Sequence, residues 1–252
     1  MRYVYGLIIA LLIVGAAAGA ANATILTFNF IPIIPNFGDI PTSYGDNVDF
    51  GAALAGCRPE VTVPPRMGCY ERGSAWTPNV IVDYRTRAVG GPQPGETLFN
   101  NLDFWDVQYG NLVNVAYPVN PVSTGEISFI AAPGFNVSLN SFDVAGWPCV
   151  NHLSQPLRFL DGAYNVLLDL TPQIFLGAGC TVHSSYAPML VGPIIRIQFG
   201  DNWNVGIDNI NFTQVPAVPQ VPEPSTLVLF ATGFAGLLAT RRVRPKMVRR
   251  MA

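Results

Sequence analysis

Lysine is nearly missing from these 252 residues, and the single one, Lys246, sits close to the C-terminus. Histidine is almost as scarce, with His152 and His183 the only two. Charged residues of both signs make up 12% of the chain, about half the share of roughly 25% usual in soluble proteins. Between Thr24 and Gln220 seven arginines stand against fifteen carboxylates, a net charge of −8 without any lysine. A domain so acidic has no electrostatic footprint for nucleic acid, whose phosphates call for clustered cations. Anionic membrane surfaces repel it too. The chain also lacks a G-x-S-x-G elbow, a P-loop and a G-x-G-x-x-G following a strand, which removes the common hydrolase, NTPase and dinucleotide-binding chemistries. Neither histidine lies in a recognisable nucleophile arrangement. Glycoside hydrolysis needs only two carboxylates at a set distance, and with fifteen available the sequence neither selects a pair nor excludes one. The expected function is non-enzymatic, with a secreted polysaccharide-active hydrolase, or a purely structural protein without a small ligand, as alternatives.

What the chain has in quantity is apolar sequence at both ends. Residues 1–23 read as a secretory signal: Arg2 supplies the positive start, Val4–Val14 the apolar core and Ala21-Asn22-Ala23 a small-residue cleavage site. The mature chain is then expected to begin at Thr24. At the other end no residue from Pro224 to Thr240 carries a charge. At about 1.5 Å rise per residue this run makes a helix of about 25 Å, within the working range for a single transmembrane helix over about 225–240. Pro224 and Ser225 suit a helix start. Behind it stand Arg241, Arg242, Arg244, Lys246, Arg249 and Arg250, a block that stays cytoplasmic and leaves the bulk of the protein outside.

The interior, 24–214, is rich in glycine, proline, aromatics and β-branched residues, with short apolar runs divided by turn chemistry. Nine strands are expected, at Ile25–Phe30, Asn79–Tyr84, Leu112–Tyr117, Glu126–Ala131, Asn136–Ala145, Leu157–Leu160, Tyr164–Leu170, Pro193–Phe199 and Val205–Phe212. In Pro193–Phe199, Ile195, Ile197 and Phe199 face one way and Arg196 and Gln198 the other. In Asn136–Val144 the apolar positions Val137, Leu139 and Phe142 alternate with one slip of phase. Asp161-Gly162 marks a hairpin turn. The pattern predicts an all-β, antiparallel β-sandwich, followed over 215–220 by an extended Pro-rich spacer.

Val221-Pro222-Glu223-Pro224-Ser225, the short apolar helix and the basic terminus together resemble the PEP-CTERM sorting signal of Gram-negative bacteria, here over 221–250. The resemblance implies a precursor anchored in the inner membrane, with the membrane contacted only through the C-terminal helix. It also implies exosortase, a membrane-embedded cysteine transpeptidase, as the processing partner. Export to the cell surface or extracellular matrix follows, alongside exopolysaccharide and biofilm systems. Phe135–Trp147 and Asn204–Phe212, with its closing Ile-Asp-Asn-Ile, resemble segments of jelly-roll domains similar to galactose-binding-like carbohydrate modules. That similarity implies a jelly-roll fold of sugar-binding ancestry, and it places Asp208 where such modules hold a structural calcium ion. Further oxygen ligands would come from Asn29, Asp39, Asp46 or Asp49, since calcium wants six to eight. No other cofactor is implied.

Export sets the chemistry of the cysteines. Four in an oxidising compartment read as two disulfides, and nearest-neighbour pairing gives Cys57–Cys69 and Cys149–Cys180, the second worth about 3 kcal/mol in the chain-entropy model. The competing arrangement is zinc held by Cys149, His152, Cys180 and His183, two C-x2-H pairs. For a sugar platform the aromatics outside the expected core strands are Tyr44, Trp76, Trp105, Tyr109, Trp147 and Trp203. Trp105 and Tyr109 come first, because Asn100–Gly110 mixes rings with carboxylates and amides.

Overall fold

A computed structural model describes residues 23–28, 37–48, 76–90 and 97–217. Most of the expected signal peptide, Asn29, Asp49, the Cys57–Cys69 pair, the sorting motif and the expected transmembrane helix lie outside the described residues.

Two antiparallel sheets carry the fold. The first orders β13 (Ser184–Tyr186), β8 (Phe135–Gly146), β16 (Val205–Pro216), β6 (Val115–Tyr117), β5 (Asp103–Trp105) and β2 (Phe37–Asp39), with β1 (Thr24–Leu26) also on β16 and β14 (Leu190–Gly192) also on β8. The second orders β11 (Val166–Asp169), β10 (Leu157–Leu160), β15 (Ile194–Phe199), β7 (Ser123–Ala131), β3 (Val80–Ala88) and β4 (Thr97–Phe99). A separate pair joins β12 (Gln173–Phe175) to β9 (His152–Gln155). The described residues contain no α-helix, only a 3-10 turn at Ala178–Cys180.

The side-chain period of two makes these strands a sandwich. On β15, Ile195, Ile197 and Phe199 are fully buried while Arg196 and Gln198 face outward. The inner faces meet through Phe129 of β7 against Phe212 of β16, with ring centroids 4.8 Å apart, and Phe142 of β8 against Phe159 of β10 at 5.9 Å. One continuous core therefore joins both sheets. The chain crosses between them from β7 to β8 and again from β15 to β16, an arrangement compatible with a jelly-roll.

All nine expected strands are present, with shifted ends. The phase slip read in Asn136–Val144 is a paired bulge. The β8–β16 register shifts between Asp208 and Asn211 and again between Asn211 and Phe212. Asn209 takes a left-handed φ of 52° there, and Asn140 Nδ2 donates to Asn211 Oδ1 across the strands at 2.8 Å. Each strand absorbs an extra residue, so Ile210 and Phe212 return to the core on one side and Leu139 and Val137 on the other. The Asp161-Gly162 turn is a hairpin between β10 and β11, closed by the Asp161 carboxylate accepting from Ala163 N and Asn165 N, each at 2.8 Å. β16 runs on to Pro216, two residues into the stretch read as spacer. Seven further strands, β2, β4, β5, β9, β12, β13 and β14, have three or four residues each, too few to show a period.

Candidate functional site

The outer face of the first sheet is acidic. Asp103 on β5 pairs in register with Asp39 on β2 and with Tyr117 on β6. Burial first, and then the hydrogen-bonded Asp39 carboxylate, push the Asp103 carboxyl up to about 6. Asn101 Nδ2 donates to Asp39 Oδ1 at 2.5 Å and reaches Asp103 Oδ1 at 3.4 Å. Further along this face, Asp143 of β8 lies in register with Asp208 of β16.

Of the two aromatics placed first by the sequence, Trp105 is half-buried against a second apolar cluster formed by Tyr109, Leu112, Val115, Tyr117 and Ala145. Tyr109 is only 3% exposed, so its ring packs and offers no free face. Its hydroxyl donates to Trp203 O at 2.5 Å, and burial raises its ionisation well above the ordinary tyrosine range. Tyr44 is likewise a core residue, accepting from Phe28 N at 3.0 Å while Tyr84 Oη donates to Tyr44 O.

For calcium, the described part of the expected set is Asp208, Asp46 and Asp39. Asp208 is 3% exposed and accepts from Asn209 N at 2.7 Å. Asp46 accepts from Val82 N at 2.7 Å, and burial raises its carboxyl above the ordinary range. Asp39 is engaged with Asn101. Among the described residues no three His, Cys, Asp or Glu side chains converge as a metal site, and Asn29 and Asp49 of the expected set lie outside those residues. Cys149 and Cys180 form a disulfide with Cα atoms 4.6 Å apart. That bond removes the thiolates zinc would need. The histidines serve the surroundings: His152 Nε2 lies 2.7 Å from Trp147 O, and His183 Nδ1 lies 2.8 Å from Asn111 Oδ1.

The disulfide staples the end of the sandwich where β8 finishes and β16 begins. Residues 147–151, 177–183 and 200–204 meet there, and the β5–β6 connection folds against them through Gly110 N to Gly146 O at 3.2 Å and Cys149 N to Gln108 O at 2.9 Å. Gly146 and Gly177 are required by this crowding, since a Cβ on either would strike the Val150 carbonyl oxygen. Trp147 and Trp203 stack obliquely here, 5.9 Å apart and 43° inclined, with Trp203 45% exposed. The buried Trp147 Nε1, Asn204 Oδ1 and Asp106 Oδ1 have no hydrogen-bond partner among the described residues. Each such atom costs about 1–3 kcal/mol. Both tryptophans were among the sequence candidates but ranked below Trp105. Proximity to Cys149 was the signal that could have raised Trp147.

A second constellation escaped the sequence reading. Glu126 on β7 is fully buried on the outer face of the second sheet, 2.8 Å from Arg87 Nε and 3.6 Å from Arg196 NH1. Gln198 Nε2 donates at 2.9 Å to Glu126 Oε2, the oxygen that also faces Arg87. Tyr164 covers the group, its ring centroid 4.4 Å from the Arg196 guanidinium and 5.2 Å from that of Arg87. The outward alternation of Arg196 and Gln198 was legible, but their partner on the neighbouring strand was not.

No curated protein and no solved structure matches the chain. Residues 220–243 match the PEP-CTERM protein-sorting motif. The chain therefore carries a PEP-CTERM sorting motif, which implies export as a membrane-anchored precursor and processing by exosortase.

Proposed function

We propose that this is a non-enzymatic surface or matrix protein whose β-sandwich associates with exopolysaccharide once exosortase has removed the C-terminal helix. The carrying observation is the sorting motif at residues 220–243, which implies export as a membrane-anchored precursor and processing by exosortase. The lysine-free, acidic domain supports an uncharged partner over nucleic acid or an anionic lipid surface. The test is the intact mass of the exported protein from cells with and without exosortase. A chain ending near Pro224 is expected with the enzyme, and retention of Arg250 in its presence refutes the reading.

A further inference from the structure

The two ends of the described sandwich differ in kind. At one end Thr24 pairs with Phe212, β16 ends at Pro216 opposite Phe135, and Ala217 N donates to Gly134 O at 2.9 Å. The chain enters and leaves β1 and β16 on this side. The disulfide-stapled loops lie at the opposite end, the length of β16 away, about 40 Å for its 12 residues at about 3.3 Å each.

At that far end the turn carrying Trp203 is pinned on several sides. Gly200 N donates to Pro156 O at 3.0 Å, Asp201 N to Gln155 Oε1 at 3.2 Å and Asn204 N to Asn202 Oδ1 at 2.8 Å. Trp203 O accepts from the buried Tyr109 hydroxyl and Asn204 O from Trp147 N at 2.8 Å. A turn held by bonds to β9, to the β5–β6 connection and to the β8 end nonetheless presents a 45% exposed indole. In the neighbouring residues an indole N–H and an amide oxygen, Trp147 Nε1 and Asn204 Oδ1, have no hydrogen-bond partner among the described residues. An exposed aromatic side chain on a turn with a pinned backbone, beside unpaired polar atoms, is the chemistry that recognises a pyranose. The C–H face stacks on the ring, and hydroxyls both donate and accept.

We infer that Trp203 and Trp147 form a subsite for one neutral pyranose unit of a polysaccharide, at the end of the sandwich away from Ala217. The inference rests on the sugar-associated reading above and assigns it a place. A sugar wedged between the inclined rings displaces Trp203 outward, accepts from Trp147 Nε1 and donates to Asn204 Oδ1. Asp201 in the same turn and Asp106 in the neighbouring connection disfavour a uronate.

The experiment is affinity electrophoresis of the exported protein in gels holding dextran, mixed-linkage β-glucan, galactan, mannan or the polyuronate alginate, with tryptophan fluorescence as a second readout. Retardation by at least one neutral polymer is expected, with Trp203→Ala weakening it at least about tenfold and Trp76→Ala, at the entry end, leaving it unchanged. Trp203→Leu keeps apolar bulk without a π face and is expected to lose the same binding if the alanine variant does not fold. Retardation that survives in both Trp203 variants overturns the subsite while leaving the sugar reading intact. Binding to alginate alone overturns the choice of a neutral unit. No retardation of the unmutated protein by any of the five polymers overturns subsite and sugar reading together.

Discussion

Asp103 shows how a short edge strand makes one residue titrate out of place. Its carboxyl stands opposite Asp39 and is held up to about 6 by burial and by that neighbour, against about 3.9 in an unfolded chain. A carboxyl raised on folding favours the native state while protonated. Its contribution is full below about pH 4 and is lost as pH rises toward 6. Discounted for a half-exposed site, the loss is on the order of 1 kcal/mol, and Asp103→Asn is expected to flatten that part of the stability profile measured by urea unfolding. Glu126 is fully buried beside two arginines. Glu126→Ala leaves Arg87, 4% exposed, without its carboxylate, and is expected to cost about 3–5 kcal/mol in denaturant titrations. Asp83→Asn, removing the half-exposed Asp83–Arg85 pair, is expected to cost under about 1 kcal/mol. Equal effects would show that the Glu126 group is not the buried network described.

Among the elements, the disulfide binds the most chain. It joins residues 31 apart in sequence across β9 to β12, whose small sheet pairs with neither large sheet among the described residues. Replacing Cys149 and Cys180 together with serine is expected to lower stability by roughly 3–4 kcal/mol by unfolding-state entropy, and reducing agent should reproduce the loss in the unmutated protein. The long strands were readable because apolar residues recur at every second position, and even the β8 bulge left its mark in the spacing of Leu139 and Phe142. Most of the three-residue strands were not readable, since β2, β4 and β5 exist only because neighbours supply their hydrogen bonds. The edge hairpin β10–β11 was legible for a local reason, the capacity of Asp161 to close its own turn.

At the scale of the whole molecule, every described arginine, Arg85, Arg87, Arg158 and Arg196, projects from strands of the second sheet, while the strand carboxylates are divided, Asp39, Asp103, Asp143 and Asp208 on the first and Asp83, Glu126 and Asp169 on the second. The described carboxylates expected to hold calcium, Asp39, Asp46 and Asp208, are engaged with backbone amides or an amide side chain. Chelation by EDTA is therefore expected to leave the melting temperature of the exported protein unchanged, and a fall of several degrees would place a metal ion on residues beyond these.

Composition and local pattern alone determined the sorting motif with the export it implies, the all-β class and the long strands. Each of these depends on residues adjacent in sequence: a Pro-Glu-Pro motif before a charge-free run, and a period of two. Only tertiary structure decided which side chains meet. It buried Tyr109, set Asp39 against Asp103, closed Glu126 between two arginines and brought Trp203 beside Trp147. Those encounters join residues up to 94 apart, as Tyr109 and Trp203 are, and depend on the order in which strands pair, which no local pattern encodes.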